Sequence, residues 1–159
     1  MIEIHEMKSV EYEFLREMLY EAIYFPFENE KLPKSIVDEP ALAKYIRDFG
    51  RRGDFAFVLV DENELVGAAW SRLFAESEKS YGFIDAETPE FSIAVREGYR
   101  NRGFGSGMMR ELFGKLQAEG FEKISLSVDK LNPAVNLYLR FGFEVVAEEG
   151  TALTMLKKL

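Results

Sequence analysis

A strand that leads through a glycine-rich turn into a helix is the feature that most constrains the fold of this sequence. Phe91, Ile93 and Val95 alternate with small side chains, which predicts a strand with one buried face. Gly103 and Gly105 follow in the turn. Apolar side chains then recur at helical spacing, at Met108, Met109, Leu112, Phe113 and Leu116. A helix joined to a strand in this way packs on the sheet, so the segment predicts an α/β fold.

The same turn has the properties of an anion-binding site. Glycine lets the backbone approach a ligand closely, and a helix start presents unpaired N–H groups at the positive end of its dipole. Arg100 and Arg102 add positive charge, so a phosphate or pyrophosphate is the predicted occupant. No lysine follows the glycines as in a P-loop, and Met108 stands where a dinucleotide-binding fingerprint has its third glycine. A turn without a ligand explains the glycines alone equally well.

Hydrophobic periodicity divides the rest of the chain into strands and helices. The predicted strands cover residues 2–6, 55–60, 65–73, 91–95, 124–128, 143–147 and 151–157. The predicted helices begin at Ser9, Pro40, the glycine turn and Asn132, and they end near Ile23, Phe49, Gly120 and Gly142. Since we find no repeat or linker, residues 1–159 form one predicted domain, a mixed α/β sheet flanked by helices.

Composition narrows the classes of function. The chain has 28 acidic and 20 basic residues, and a net charge of −8 makes it a poor candidate for binding nucleic acid. It has no cysteine and one histidine, His5, which excludes disulfides, thiolate metal sites and sites with several histidines. No apolar stretch approaches the ~20 residues that span a bilayer, and the first residues do not resemble a signal peptide. We therefore expect a soluble, cytoplasmic protein without membrane contact.

The acidic charge is concentrated in the first part of the chain. Residues 1–90 have 20 acidic and 10 basic side chains, whereas residues 91–159 have 8 acidic and 10 basic ones. The mildly basic part suits an anionic ligand, and the acidic part suits a cationic one. A solvated acidic surface is the plainer interpretation.

Two motifs give the sequence a resemblance to a known family. Residues 100–105, Arg-Asn-Arg-Gly-Phe-Gly, match the Arg/Gln-x-x-Gly-x-Gly/Ala motif of the GNAT-type N-acetyltransferases, which use acetyl-coenzyme A. Residues 132–143, Asn-Pro-Ala-Val-Asn-Leu-Tyr-Leu-Arg-Phe-Gly-Phe, resemble the family's downstream Asn-Pro-Ala-x-x-Leu-Tyr-x-x-x-Gly-Phe motif. The predicted order of elements is also similar. The resemblance implies a single-domain GNAT-like fold, a mixed, mostly antiparallel sheet flanked by helices, with a splay between its two central strands.

The resemblance also implies which residues bind acetyl-coenzyme A. Pantetheine would pair with the backbone of Ile93, Ala94 and Val95 in the opened sheet, as an added strand does. Asn132 would contact the coenzyme from the other side of the opening. The pyrophosphate would lie on the glycine turn, which comprises Arg100, Asn101, Arg102, Gly103, Phe104, Gly105 and Ser106. We expect no metal.

Acetyl transfer to an amine needs a neutral amine, a donor for the developing oxyanion and a thiolate that can leave. Because the chain has no cysteine, no acyl-cysteine forms, which favours direct attack in a ternary complex. A backbone N–H near Val95 is the candidate oxyanion donor. The resemblance assigns Tyr138 as general acid near the coenzyme sulfur and Glu90 as general base through water. A tyrosine packed on the sheet and an exposed carboxylate are the alternatives, and Glu87 and Glu97 are weaker candidates for the base.

The expected acceptor is a primary amine of a small molecule. The N-terminal helices would bind its cationic form. Aromatic residues of the acidic part either form such a site or belong to the core, namely Tyr20, Tyr24, Phe25, Phe27, Trp70 and Tyr81. A protein N-terminus or lysine is the alternative acceptor. A non-catalytic acyl-coenzyme A-binding module or sensor is the alternative from another class of function. The sequence leaves a homodimer open.

Overall fold

The computed structural model describes residues 1–26 and 31–159. Within these ranges the strands are β1 (Ile2–Glu6), β2 (Phe55–Asp61), β3 (Glu64–Arg72), β4 (Glu90–Val95), β5 (Lys123–Asp129), β6 (Glu144–Glu149) and β7 (Ala152–Lys158). The α-helices are α1 (Leu15–Ala22), α2 (Pro40–Ala43), α3 (Phe104–Ala118) and α4 (Ala134–Arg140). Short 3-10 helices cover Ser9–Phe14, Lys34–Asp38 and Glu76–Glu78.

The described strands form one sheet in the order β1-β2-β3-β4-β5-β7-β6. Neighbouring strands run antiparallel, except that β4 and β5 are parallel. Both faces of the sheet are covered by apolar side chains. One face packs against α3 through Met108 and Leu112, and the other packs against α1 through Leu15 and Met18. The predicted mixed, mostly antiparallel α/β sheet flanked by helices is confirmed.

The two central strands separate after one residue pair. Within the described chain, β4 and β5 pair at Glu90 and Ser125, and the Ser125 N–H donates to the Pro89 carbonyl at 3.0 Å. Beyond this pair, β4 remains hydrogen-bonded to β3 along its length but leaves β5. The splay that the resemblance implied is therefore present.

Strand pairing determines which backbone groups of β4 face this opening. The Arg96 N–H donates to the Val66 carbonyl at 2.8 Å, and in an antiparallel pair such bonds recur at every second residue. Ala94 therefore pairs with β3 through its own N–H and C=O. The backbone groups of Ile93 and Val95 point the other way, toward β5.

The first helix starts later than its periodicity predicts. The segment from Ser9 forms a 3-10 helix, and the α-helix begins at Leu15. Val10, which belongs to the predicted apolar stripe, is 88% exposed. A 3-10 turn has 3.0 residues instead of 3.6, so a stripe drawn with α-helical spacing does not follow the buried side there.

The second helix is shorter than predicted, and a buried ion pair holds the chain that follows it. The Arg72 guanidinium donates to both Asp54 carboxylate oxygens, at 2.7 and 3.0 Å, and to the Lys44 carbonyl at 2.9 Å. The side chains of Arg72 and Asp54 are each 1% exposed. Arg72 thus satisfies a carbonyl that the end of α2 leaves unpaired, and it fixes the segment that carries Tyr45 against the sheet.

Candidate active site

A cavity of about 860 Å³, here called the large cavity, lies beside the opened edge of β4. Its walls come from the end of α1, from β4, from the glycine turn with the start of α3, and from α4. The predicted residues that line it are Ile93, Ala94, Val95, Arg100, Asn101, Gly103, Phe104, Gly105, Ser106, Asn132 and Tyr138. The fold thus brings the two sequence motifs together around one space.

The glycine turn directs the start of α3 toward the large cavity. Gly103 precedes the helix with φ of 83°, and Asn101 has φ of 59°, so both adopt left-handed backbone conformations. No side chain of the described residues caps this helix start. The Gly107 N–H donates to the Gly103 carbonyl at 3.3 Å, which leaves the N–H groups of residues 104–106 without helical partners. Together with the helix dipole, these donors suit an anion.

The two arginines of the turn have different positions. Arg100 lines the large cavity, where it donates to the Val95 carbonyl at 3.3 Å and to the Glu21 carboxylate at 2.9 Å. Arg102 donates to the Gly98 carbonyl at 3.1 Å. The described lining of the large cavity does not include Arg102, so its positive charge acts there only through space.

Carboxylates on α1 hold the segment that follows β4. Glu17 accepts hydrogen bonds from Arg96 at 2.6 and 2.8 Å, and Arg96 also donates to Glu64 at 2.7 Å. The hydrogen bonds from Arg96 hold the pKa of Glu17 below its ordinary value. Glu21, one helical turn later, accepts from Arg100. These pairs tie α1, which forms one wall of the cavity, to the glycine turn.

Tyr138 is buried and lines the large cavity. Its ring packs edge-to-face against Phe91 and Phe143, with centroid distances of 5.9 and 6.0 Å. Its hydroxyl makes no hydrogen bond to the described residues. Every fully buried polar side-chain atom of these residues has a hydrogen-bond partner, so this hydroxyl is not fully buried. The hydroxyl is therefore open to the cavity. Burial raises the pKa of Tyr138 to about 12, so the hydroxyl is protonated at neutral pH and can donate.

Asn132 lies two residues before α4, directly before the N-cap position that was predicted for it. Its Oδ1 accepts the Ala134 N–H at 2.9 Å, while Pro133 occupies the N-cap position. The side chain thus supports the first turn of α4. Its amide NH₂ group makes no hydrogen bond to the described residues and is available to a ligand.

Several residues that line the large cavity were not predicted from the sequence. Asn136 and Arg140 lie on α4, Glu21 lies on α1, and Lys31 follows the segment outside the described residues. These two α4 residues share one side of the helix with Asn132, because Asn132, Asn136 and Arg140 are spaced four residues apart. This spacing was the available signal for the two α4 residues.

A second cavity of about 200 Å³, here called the small cavity, adjoins the large one. Residues that line both are Ala22, Ile23, Tyr24, Ile93, Asn132 and Tyr138. Glu90 lines the small cavity. Tyr138 therefore stands where the two cavities meet, and Glu90 lies on the side away from the glycine turn.

Glu90 is a buried carboxylate in a hydrogen-bond network, unlike the exposed carboxylate of the alternative interpretation. Its Oε1 accepts from the Ser80 hydroxyl at 2.6 Å and from the Gly82 N–H at 2.8 Å, and its Oε2 accepts from the Tyr45 hydroxyl at 2.6 Å. Burial raises the pKa of Glu90 above its ordinary value, although these donors oppose the shift. A Cβ on Gly82 would lie 2.8 Å from Glu90 Oε1, so this close approach requires glycine.

The weaker candidates for the base lie elsewhere. Glu87 is exposed and pairs with Arg52 at 3.0 Å. Glu97 is exposed in the turn after β4. The described linings of the two cavities contain neither residue.

The predicted aromatic residues divide between the cavities and the core. Tyr20, Tyr24 and Phe25 line the large cavity, whereas Phe27 lies outside the described residues. Trp70 is a core residue that is 1% exposed and donates to the Tyr45 carbonyl at 3.2 Å. Tyr81 is 61% exposed and lines the small cavity, and its ring stacks on Tyr45 with a centroid distance of 6.4 Å.

Residues 1–26 and 31–159 contain no group of three histidine, aspartate or glutamate side chains that could hold a metal ion. Their helices are too short or too polar to cross a lipid bilayer.

Comparison with known proteins gives the family of this chain. A family model described as the acetyltransferase (GNAT) family matches residues 13–143, which is most of the chain. The chain belongs to the GNAT acetyltransferase family. A curated relative, the mycothiol acetyltransferase of Corynebacterium aurimucosum, is 28% identical over 85 residues. That match covers 53% of this chain and 26% of the relative, so the matched segment spans about a quarter of the relative's length.

Solved structures of GNAT proteins share the fold. The PaiA N-acetyltransferase from Thermoplasma acidophilum, crystallised in complex with coenzyme A, has a TM-score of 0.71 and is 17% identical. That similarity covers 100% of this chain and 99% of the other. The ribosomal-protein-S18-alanine N-acetyltransferase from Escherichia coli has a TM-score of 0.66 at 16% identity, covering 99% of this chain and 94% of its own.

Proposed function

We propose that this GNAT protein is an N-acetyltransferase that moves an acetyl group from acetyl-coenzyme A to the primary amine of a small molecule. The observation that carries the proposal is the meeting of two cavities at Tyr138. The large cavity combines the open helix start with the unpaired edge of β4, and the small cavity holds a buried carboxylate. A donor substrate and an acceptor can therefore meet at one point.

The large cavity has the chemistry that coenzyme A requires. The free N–H groups of residues 104–106, with Arg100 and Arg140 in the same lining, suit the diphosphate. The amides of pantetheine could hydrogen-bond to the backbone groups of Ile93 and to the Val95 carbonyl, as an added strand does. In this structure the Val95 carbonyl accepts a hydrogen bond from Arg100. Ala94 contributes its side chain to the lining, because its backbone pairs with β3.

The transfer step follows from these positions. The neutral amine attacks the thioester carbonyl carbon, a C–N bond forms, and the C–S bond breaks with its electron pair leaving on sulfur. The Val95 N–H, which points away from β3, is the proposed donor to the carbonyl oxygen as negative charge develops there. The Tyr138 hydroxyl is the proposed donor to the departing sulfur. Since its pKa of about 12 lies above the ~8.5 of a thiol, it stabilises the thiolate by a hydrogen bond, and solvent supplies the proton.

Glu90 is the proposed acceptor of the proton that the amine loses. Its Oε2 accepts one hydrogen bond, from Tyr45, and so retains a lone pair for a further donor, and Glu90 lines the small cavity. A pKa raised by burial also brings the carboxylate closer to the range in which a base works at neutral pH. A water molecule between the amine and Glu90 would complete the transfer.

Two measurements test the proposal. Titration calorimetry with coenzyme A should give a saturable binding heat, and thiol release from acetyl-coenzyme A should depend on an added amine. The chain has no cysteine, so a thiol reagent detects only released coenzyme A. No binding heat would remove the proposal. Binding without thiol release, over a broad panel of amines, would indicate a coenzyme-binding module instead.

A further inference from the structure

The small cavity is the place where the acceptor would have to bind, and this inference rests on the proposed function. The cavity meets the large one at Tyr138 and Ile93, on the side opposite to the glycine turn. Its chemistry therefore indicates which amines reach the acetyl group.

The floor of the small cavity is a polar patch across the splay. Side chains alternate between the faces of a strand, so Glu90 and Ser92 of β4 lie on one face, as do Ser127 and Asp129 of β5. Leu126 and its apolar neighbours on β5 belong to the core on the α3 side. The four polar residues thus face α1, and all four line the small cavity.

The charges in this lining have one sign. Glu90 and Asp129 are its ionisable acids, and the described residues that line the small cavity include no lysine or arginine. Lys44 lies near Glu90, but its ammonium donates to the Lys79 carbonyl and is not in the lining. The basic residues of the site line the large cavity instead. A carboxylate that entered the small cavity would meet like charges and no cation in the described lining.

The size and the rim of the cavity favour a small ligand. About 200 Å³ accommodates roughly seven water-sized groups at ~30 Å³ each. Tyr81, which is 61% exposed, presents its ring beside Tyr45 in the lining. An aromatic face of this kind attracts a cation and packs against an apolar chain.

We infer that the small cavity selects a small amine that carries no carboxylate, such as an alkylamine or arylalkylamine, and rejects free amino acids. The selection comes from the acidic lining across the splay, whose described residues include no lysine or arginine, from the small volume, and from the exposed ring of Tyr81 at the rim.

A charge series tests the inference on the intact chain. Isoamylamine, leucinamide and leucine share one side chain; leucinamide has the shape of leucine without its negative charge. Thiol release is measured at equal concentrations of the neutral amine. We expect kcat/KM for the first two compounds to exceed that for leucine on the order of a hundredfold, since like charges at close range in a partly buried site repel strongly. Leucine acetylated as fast as leucinamide would overturn the inference.

A pair of variants tests the origin of the selection. Ser127→Lys adds a cation to the floor, and Ser127→Gln adds similar bulk without charge. We expect the lysine variant to lower the leucinamide-to-leucine ratio by about tenfold and the glutamine variant to keep it. An unchanged ratio in a Ser127→Lys protein that still binds coenzyme A would contradict the argument. If that variant does not fold, the ratio in the unmodified chain decides.

The remaining outcomes separate this inference from the proposed function. A peptide with an N-terminal leucine that reacts more than tenfold faster than leucinamide would overturn the small-ligand inference but retain acetyl transfer. No thiol release with any acceptor, or no binding of coenzyme A, would overturn the proposed function and this inference with it.

Discussion

Removing the Tyr138 hydroxyl should separate catalysis from stability. The change Tyr138→Phe keeps the ring, which packs against Phe91 and Phe143, and deletes one oxygen that has no hydrogen-bond partner in the described chain. No buried partner is left unsatisfied by the deletion. We therefore expect the free energy of unfolding to change by less than about 0.5 kcal/mol.

The catalytic effect follows from the hydrogen bond that the hydroxyl would donate to the departing thiolate. A hydrogen bond to a charged group contributes about 1.5–3 kcal/mol. At about 1.4 kcal/mol per factor of ten, kcat should fall by about 10- to 150-fold. The affinity for coenzyme A should stay within about twofold, because the backbone donors of the glycine turn are untouched.

The assay compares kcat by thiol release, Kd by calorimetry and stability by urea unfolding, each for Tyr138→Phe. Tyr12→Phe is the matched control, since Tyr12 packs on Phe49 and is absent from the described linings of both cavities. An unchanged kcat would assign Tyr138 a packing role. A loss of activity that parallels a loss of stability would also refute the reasoning.

Three further changes test other parts of the structure. Arg72→Met should cost about 3–5 kcal/mol in urea unfolding, because Asp54 would remain buried without its cation; a cost below about 1 kcal/mol would contradict this. Gly103→Ala should raise the Kd of coenzyme A about fivefold or more, because roughly 1–2 kcal/mol of backbone strain distorts the turn. Gly98→Ala, which also places alanine at a positive φ but lies outside the described lining, should leave this Kd unchanged. Glu90→Gln should remove the low-pH limb of the kcat profile. The free energy of unfolding of the Glu90→Gln variant should also rise relative to that of the unmodified chain as pH increases through the raised pKa of Glu90, because only the unmodified chain must then bury a charge. A full pH profile in Glu90→Gln would exclude Glu90 as the base.

Local patterns predicted the elements around the large cavity, because strand, turn and helix there follow from neighbouring residues. The alternation in β4, the glycines and the apolar stripe of α3 lie within one short segment. The direction of a charged side chain is a different matter. Arg100 and Arg102 look equivalent in the sequence, but one faces the cavity and the other bonds the Gly98 carbonyl.

The small cavity could not be predicted from the sequence, since its residues come from distant segments. Tyr45 reaches Glu90 from the segment after α2, which the buried pair of Arg72 and Asp54 anchors. The serines of β4 and β5 line one cavity because these strands diverge from a single parallel pair. Periodicity describes each strand separately and contains no information about which strands become neighbours.

The divergence of β4 and β5 also divides the sheet mechanically. Strands β1–β4 form one part of the sheet and β5–β7 the other, and in the described chain the two parts share one backbone pair, at Glu90 and Ser125. A molecule bound between them along Ile93 and Val95 would connect the two parts. Saturation at a hundred times its Kd would add about 2.7 kcal/mol to folding. Coenzyme A, if it binds there as proposed, would thus raise the free energy of unfolding as well as supply the acetyl group.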